Sequence, residues 1–134
     1  MKEINYKDMK FNPFNLIGGE WMLVTAGNEQ KCNTMTASWG HLGCLWGHND
    51  PTAVIYLRPS RYTKEFVDEE GYFSLCVMDK SFKKQMAYLG SVSGRDEDKI
   101  GKDTINENYP QRDFHTMYVG KIEKVLVRDD EYLK

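Results

Sequence analysis

The chain has 134 residues, of which 40% are hydrophobic and 28% are charged, a composition typical of a folded globular protein rather than a disordered one. The formal net charge of −2 gives no electrostatic signature of nucleic-acid binding, and the longest apolar run, residues 21–24, is too short to cross a bilayer. Three cysteines and first residues unlike a signal peptide predict reduced thiols and a cytoplasmic location.

Short strands dominate the predicted secondary structure, which begins with an irregular stretch over residues 1–20. Strands are predicted at 21–26, 33–38, 52–57, 72–77 and 118–127. Two short helices are predicted, one with Thr63 as its N-cap and one over residues 81–89, and a Gly-rich loop is expected over residues 40–51. The pattern indicates a single domain over residues 1–134 that is mainly β, or α+β.

Five strands are too few to close a barrel, and an open sheet leaves exposed edges. The stretch over residues 95–111 is poor in strand signals, although a further strand is needed there. Either a second subunit covers the open edge, or residues of the natural protein are absent between Ile105 and Asn108.

The segment Asn-Thr-Met-Thr-Ala-Ser-Trp-Gly at 33–40 combines small side chains and hydroxyls before a glycine. Small residues let a flat ligand approach the backbone, whose N–H and C=O groups can bond to the ligand's edge. The ordinary interpretation, a polar strand end, stays open.

The segment Arg-Pro-Ser-Arg-Tyr-Thr-Lys at 58–64 follows a predicted strand and opens a predicted helix. Two guanidinium groups, several hydroxyls and a helix N-terminus suit a phosphate. A solvated charged turn, with the aromatic residues of the chain serving only as core, is the alternative.

Two further segments contain candidate site residues. His115 precedes the last predicted strand, where a histidine could donate a hydrogen bond or a positive charge near a redox centre. Metal-ligating residue types also cluster, at Cys32, His41, Cys44 and His48. Since zinc sites prefer tighter paired spacings such as Cys-x-x-Cys, a surface loop is favoured over a metal site there.

Four segments of the chain together resemble the flavin reductase-like family, the FMN-binding split β-barrel group that includes flavoredoxin-type proteins. They are the segments at 33–40 and 58–66, Ser-Gly-Arg-Asp-Glu-Asp-Lys at 93–99, and His-Thr-Met-Tyr-Val-Gly at 115–120, in the family's order. The resemblance implies an FMN-binding split β-barrel with short flanking helices. Family members are usually longer between the last two segments, which agrees with the strand deficit.

The resemblance implies a homodimer with one FMN per subunit near the subunit interface. It implies that the flavin ring and ribityl chain are lined by Thr34, Met35, Thr36, Ala37, Ser38 and Trp39. Arg58, Arg61 and Thr63 are expected around the phosphate with Ser38, and Tyr62 belongs to the same binding segment. Arg95 is expected in a loop close to the cofactor, and His115 near the flavin or an incoming nicotinamide, as the catalytic residue.

The function expected from this resemblance is that of a flavin reductase-type oxidoreductase. Electrons would pass between NAD(P)H, or a redox protein as donor, and an acceptor through bound FMN. A non-catalytic flavin carrier or electron-transfer flavoprotein of the flavoredoxin type is the alternative, and a metal-binding module is the third interpretation. No nucleic-acid or membrane partner is expected.

Overall fold

The computed structural model describes residues 2–97 and 116–127, and these form short strands with a few short helices. The strands are β1 Lys2–Ile4, β2 Met22–Gly27, β3 Cys32–Ala37, β4 Gly40–Cys44, β5 Pro51–Leu57, β6 Ser74–Cys76, β7 Thr116–Lys121 and β8 Val125–Val127. The α-helices are α1 Tyr62–Glu70 and α2 Lys83–Ser91; shorter 3-10 turns occupy Tyr6–Asp8 and Lys80–Phe82, and a π-helix occupies Asn15–Glu20. The expected mainly β architecture with short helices is confirmed.

The strands pair into three small antiparallel sheets. Strand orders are β3-β2-β6 and β4-β5-β7 in the two three-stranded sheets, and β1 pairs with β8 in a two-stranded ribbon. In the first sheet Val24 lies opposite Met35, and in the second Ile55 lies opposite Gly40 and Tyr118. Because β3 is an edge strand among the described residues, one side of its backbone faces away from the sheet.

Alternation along the strands builds one core between the two three-stranded sheets and α1. The core cluster consists of Val24, Ala26, Met35, Ala37, Ile55, Leu57, Phe66 and Val67. Val24, Ile55 and Leu57 are fully buried, and each such side chain contributes about 1.5–3 kcal/mol relative to an exposed one. The core therefore fixes β3 and α1, the two elements that carry most of the predicted site.

Helix α1 begins two residues earlier than expected and ends at a glycine. Its N-cap is Arg61 and not Thr63, because Thr63 is fully buried within the first turn. Phe66 and Val67 face the core, as predicted. The helix stops at Gly71, whose φ of 70° is left-handed and whose N–H donates to the Val67 carbonyl at 3.0 Å.

The expectation of five strands was wrong, since eight strands lie in the described residues. Strand β4 occupies the predicted Gly-rich loop, where Gly40 is required by close packing: a Cβ there would lie 2.7 Å from the Val54 carbonyl oxygen. The predicted last strand is two strands, because the chain leaves β7 at Ile122, whose N–H donates to the Pro51 carbonyl at 2.8 Å.

Helix α2 is held at its start by Lys83. The Lys83 ammonium donates to the carbonyls of Gly19 and Glu20, at the end of the π-helix, and lies 3.4 Å from the ring centroid of Trp21. Trp21 has a φ of 73°, which is unfavourable for a bulky residue. The two carbonyls and the indole ring together anchor the start of α2.

Several predictions fall on residues that the structure does not describe. They include His115 and the suspected gap between Ile105 and Asn108. None of the helices in the described ranges is both long enough and apolar enough to span a membrane.

Candidate functional site

Three of the four predicted segments lie together. Strand β3 contacts α1 through a buried hydrogen bond of 2.8 Å from Asn33 Nδ2 to Thr63 Oγ1. The turn before α1 is closed by the Arg61 N–H, which donates to the Arg58 carbonyl at 2.9 Å. The turn at residues 93–96 reaches the same place, because Arg95 Nη1 donates to the Ser60 carbonyl at 2.8 Å. Segments far apart in the sequence thus form one surface region.

The side chains of β3 alternate between the core and the opposite face. Met35 and Ala37 are buried in the core, so only their backbone groups are available to a ligand. Thr34 and Thr36 lie on the other face, where the Thr34 hydroxyl lies 2.9 Å from that of Thr25. The Thr36 hydroxyl donates to the Met86 carbonyl of α2, so both hydroxyls are already bonded within the chain.

The end of β3 is more open than its middle. Ser38 is half-buried in the bend that follows the strand. Trp39 is 58% exposed, which is unusual for the largest apolar side chain. An exposed tryptophan beside a strand edge that no described strand pairs with provides a flat apolar surface next to backbone donors and acceptors.

Three guanidinium groups surround the turn before α1. Arg58 and Arg61 are half-buried, and Arg61 Nη1 donates to the Gly90 carbonyl of α2 at 3.0 Å. Arg95 forms a close ion pair with Glu65 in addition to its bond to Ser60. The carbonyl and carboxylate partners hold the positive charges of Arg61 and Arg95 near the first turn of α1.

Tyr62 connects the arginine turn to the neighbouring elements. Its ring centroid lies 5.0 Å from Arg95 Cζ and 4.9 Å from the Phe66 ring, which meets it edge-on. On the α1 side, Lys31 Nζ lies 5.4 Å from the same centroid. Tyr62 is therefore a packing platform for Arg95 as well as a member of the predicted binding segment.

The start of α1 has the donor chemistry that a phosphate needs. The N-cap residue Arg61 makes no side-chain hydrogen bond to the helix, since a guanidinium has no acceptor. Backbone N–H groups of the first turn are the positive end of the helix dipole and suit an anion. Together with the guanidiniums of Arg58, Arg61 and Arg95, this donor set fits a dianionic phosphate group.

A groove of about 200 Å³ borders the candidate site on the other side of Tyr62. It runs between α1 and the β2–β3 turn, and its lining includes Lys31, Glu65 and Glu69. The hydrogen bond with Tyr62, followed by the charge of that side chain, raises the pKa of the Lys31 ammonium. The predicted residues border this groove only through Tyr62.

The four metal candidates do not form a ligand set. Cys32 begins β3, whereas His41 and Cys44 lie on β4 in the other sheet. His41 Nδ1 lies 3.2 Å from the Tyr56 hydroxyl. Within residues 2–97 and 116–127, no group of three His, Cys, Asp or Glu side chains could hold a metal ion.

Sequence reasoning did not single out Asn33 or Gly94, although both lie in the quoted segments. Asn33 is only 4% exposed and occupies the core-facing side of β3 with Met35 and Ala37. A polar residue that falls among the inward-facing apolar positions of a strand indicates a buried hydrogen bond, because a buried amide needs a partner. That partner, Thr63, is thirty residues away and is defined only by the tertiary structure.

Comparison with known proteins identifies the family. A family model described as "Flavin reductase like domain" matches residues 14–113, which is most of the chain. The chain therefore belongs to the flavin reductase like domain family, and the resemblance inferred from the sequence is confirmed.

Among curated proteins, the Escherichia coli (strain K12) protein YddH is 31% identical over 84 residues. This alignment covers 61% of the present chain and spans only 43% of the length of YddH.

Solved structures define the fold class. Flavoredoxin from Methanosarcina acetivorans is similar with a TM-score of 0.62 and 23% identity, over 78% of this chain and 66% of that one. Flavoredoxin of Desulfovibrio vulgaris (Miyazaki F) has a TM-score of 0.64 and 19% identity, over 97% and 78%. An FMN-binding protein from Thermus thermophilus has a TM-score of 0.64 and 18% identity, over 92% and 78%. The fold is that of the flavin reductase-like split β-barrels, as predicted.

Proposed function

We propose that this chain binds one FMN without a covalent bond and acts as a flavin reductase-type oxidoreductase. The observation that carries the proposal is the convergence of β3, the arginine turn at residues 58–61 and the turn at residues 93–96 on one surface. Membership of the flavin reductase like domain family supports it.

The phosphate is assigned to the arginine turn. Arg58, Arg61 and Arg95 supply positive charge and N–H donors, and the first turn of α1 adds backbone N–H groups. The Thr63 hydroxyl is not a direct ligand in this proposal, because it is fully buried and accepts a hydrogen bond from Asn33.

The planar ring is assigned to the outer edge of β3 and to Trp39. Backbone groups at this edge, which no strand of the described residues covers, would bond to the polar rim of the ring, and the exposed indole would cover one apolar face. A bound flavin supplies reversible uptake of a hydride or of single electrons. His115 is proposed to lie near the ring or the nicotinamide as the catalytic residue.

The proposed assembly is a homodimer. Large apolar side chains stand exposed on the single chain, among them Phe14 at 86%, Trp46 at 82% and Trp39 at 58%. A second copy that covers them would enclose the open side of the candidate site and exclude water from it. The free thiols of Cys32, Cys44 and Cys76 are consistent with the proposed cytoplasmic setting.

Absorption spectroscopy of the purified protein tests cofactor binding. The expected result is a yellow protein with flavin bands, and release of FMN after denaturation without a covalent adduct. A colourless protein that stays colourless after incubation with FMN contradicts the proposal, and bound zinc in that preparation would favour a metal-binding module instead.

Anaerobic mixing of the holoprotein with NADH or NADPH separates a reductase from a carrier. Rapid bleaching of the flavin bands is expected for the reductase. Slow or absent bleaching with both nicotinamides, with reduction by a ferredoxin-type donor, would instead assign the chain to non-catalytic electron transfer of the flavoredoxin type.

A further inference from the structure

Asn33 and Thr63 form a buried polar contact between the two elements that carry the candidate site. Asn33 is 4% exposed and Thr63 is fully buried, and the 2.8 Å bond joins β3 to the first turn of α1. A buried hydrogen bond of this kind costs far more to break than an exposed one, because the remaining partner stays out of water. The bond therefore fixes the place where α1 begins relative to β3.

Gly94 brings the third segment against the same contact. A Cβ at Gly94 would overlap the Asn33 amide oxygen and would lie 3.1 Å from Tyr62 Cδ1. Gly94 does not have a left-handed φ, so this position requires glycine for space and not for backbone conformation. The next residue, Arg95, is thereby delivered to the Ser60 carbonyl and to the Tyr62 ring.

We infer that Asn33, Thr63 and Gly94 form a positioning node that sets the selectivity of the site for FMN over riboflavin. This inference rests on the proposed function. None of the three need touch the cofactor; the node fixes the relative positions of the Arg61 and Arg95 backbones, which hold the guanidiniums proposed to bind the phosphate. Bidentate binding of a phosphate depends on the positions of the guanidinium groups. A displaced guanidinium loses both the distance and the angle that its hydrogen bonds to the phosphate require.

The ratio of FMN affinity to riboflavin affinity isolates this role from general stability. Riboflavin lacks the phosphate but has the same ring and ribityl chain. A change that only loosens the fold weakens both ligands alike, whereas a change in the node weakens FMN alone.

The first test replaces the Thr63 hydroxyl. Thr63→Val keeps the volume and leaves the Asn33 amide without its acceptor, so we expect FMN affinity to fall about five- to tenfold while riboflavin affinity stays within about twofold. Thr63→Ser restores the hydroxyl and is expected to restore the ratio. The matched control is Thr52→Val, an equally buried threonine of β5 in the other sheet, whose hydroxyl donates to the Gly43 carbonyl at 3.3 Å.

The second test acts from the turn at residues 93–96. Gly94→Ala forces the turn away from Asn33, and the same selective loss of FMN affinity is expected. Gly18→Ala is the control, because a Cβ there meets nothing within 4 Å. Fluorescence quenching titrations with FMN and riboflavin give the ratio, and thermal unfolding of each apoprotein gives its stability.

These outcomes distinguish a failure of the positioning node from a failure of the proposed FMN binding. An unchanged ratio in both Thr63→Val and Gly94→Ala overturns the positioning node while FMN binding by the wild type still stands. An equal loss of both ligands also overturns it, since that is the mark of a structural role. A wild-type chain that binds neither ligand removes the proposed function and the node together. If Thr63→Val does not fold, Gly94→Ala decides alone.

Discussion

Arg61 links three features of the molecule. It is the N-cap residue of α1, its N–H closes the turn with Arg58, and its guanidinium donates to the Gly90 carbonyl at the end of α2. A cation at the carboxyl end of a helix is favourable, so this placement is stable before any ligand binds. The Arg61 guanidinium is therefore already held in position before an anion binds.

Replacement of Arg61 tests the phosphate assignment at the residue scale. Arg61→Ala is expected to lower FMN affinity at least about tenfold, because charge-assisted bonds to phosphate contribute about 1.5–3 kcal/mol. The apoprotein should lose little stability, since the half-buried Arg61 side chain lies outside the core cluster. Isothermal titration with FMN measures the first effect and thermal unfolding the second. Lys84→Ala, which removes an exposed cation of α2, controls for net charge; equal affinities in wild type and Arg61→Ala would refute the assignment.

Thr63 shows what the sequence does and does not predict at this scale. A threonine at the start of a predicted helix is a good N-cap candidate, and Arg-Pro-Ser-Arg-Tyr-Thr-Lys correctly located the strand-to-helix turn. The sequence does not reveal that Asn33 would capture the hydroxyl, because that bond depends on how β3 crosses α1. Local residue propensities indicated the turn before α1, whereas tertiary packing determined that the Thr63 hydroxyl bonds to Asn33.

Helix α1 and strand β7 are joined by a polar cluster on the exposed side of the core. Lys64 Nζ lies 2.6 Å from Asp68 Oδ2, and the Tyr118 hydroxyl donates to the other carboxylate oxygen. The bond from Lys64, followed by that from Tyr118, lowers the pKa of the Asp68 carboxyl from its usual 3.8. Burial, followed by the bond to Asp68, raises the pKa of the Tyr118 hydroxyl, which stays a donor.

A pH-dependent stability difference follows from this cluster. Since the pKa of Asp68 is lower in the folded than in the unfolded chain, its contribution is present above the unfolded pKa and is lost as pH falls through the folded pKa. Asp68→Asn is expected to cost only about 0.5 kcal/mol at neutral pH, because the carboxylate is 48% exposed and screened by solvent. Urea unfolding at about pH 7 and about pH 3 should show this difference shrinking toward zero in acid. Glu29→Gln, in the exposed β2–β3 turn, is the control; a difference that grows in acid would contradict the assignment.

The elements themselves were predictable where their apolar pattern was strong. Apolar residues alternate along β2, β3 and β5 and recur at helical spacing in α1. Each of these elements begins within a residue or two of its predicted start. Strand β4 was not predictable, because two of its five residues are glycines and its pairing with β5 comes from the fold. The exit from β7 at Ile122 depends on a bond to Pro51, which no local signal indicates.

At the scale of the whole molecule, large aromatic side chains are exposed on the single chain. Trp46 has a left-handed φ of 65° and is 82% exposed, so the part of the chain that the structure describes does not cover its ring. It lies in the loop after β4, the strand that Trp39 precedes. The proposed second subunit would bury both rings, and aromatic side chains of this kind are enriched in the buried centres of protein interfaces.

The dimer is tested by size-exclusion chromatography with light scattering. Wild-type protein is expected to elute as a dimer, and Trp46→Ser to shift toward the monomer at dilute concentration while keeping its fold by circular dichroism. Tyr72→Ser is the control, because Tyr72 is 71% exposed but leads into β6, at the sheet edge opposite β3. A wild-type monomer, or a Trp46→Ser dimer as tight as wild type, would count against the proposed interface.

The ribbon of β1 and β8 has a consequence for how the chain folds. It pairs Lys2 with Val127, the first and last residues that the structure describes, and contributes no residue to the core cluster. Closing so long a loop is entropically costly, and no ribbon residue joins the core cluster to offset that cost. We expect the ribbon to form last in folding, after the two larger sheets have packed on α1. On unfolding, we expect it to separate first.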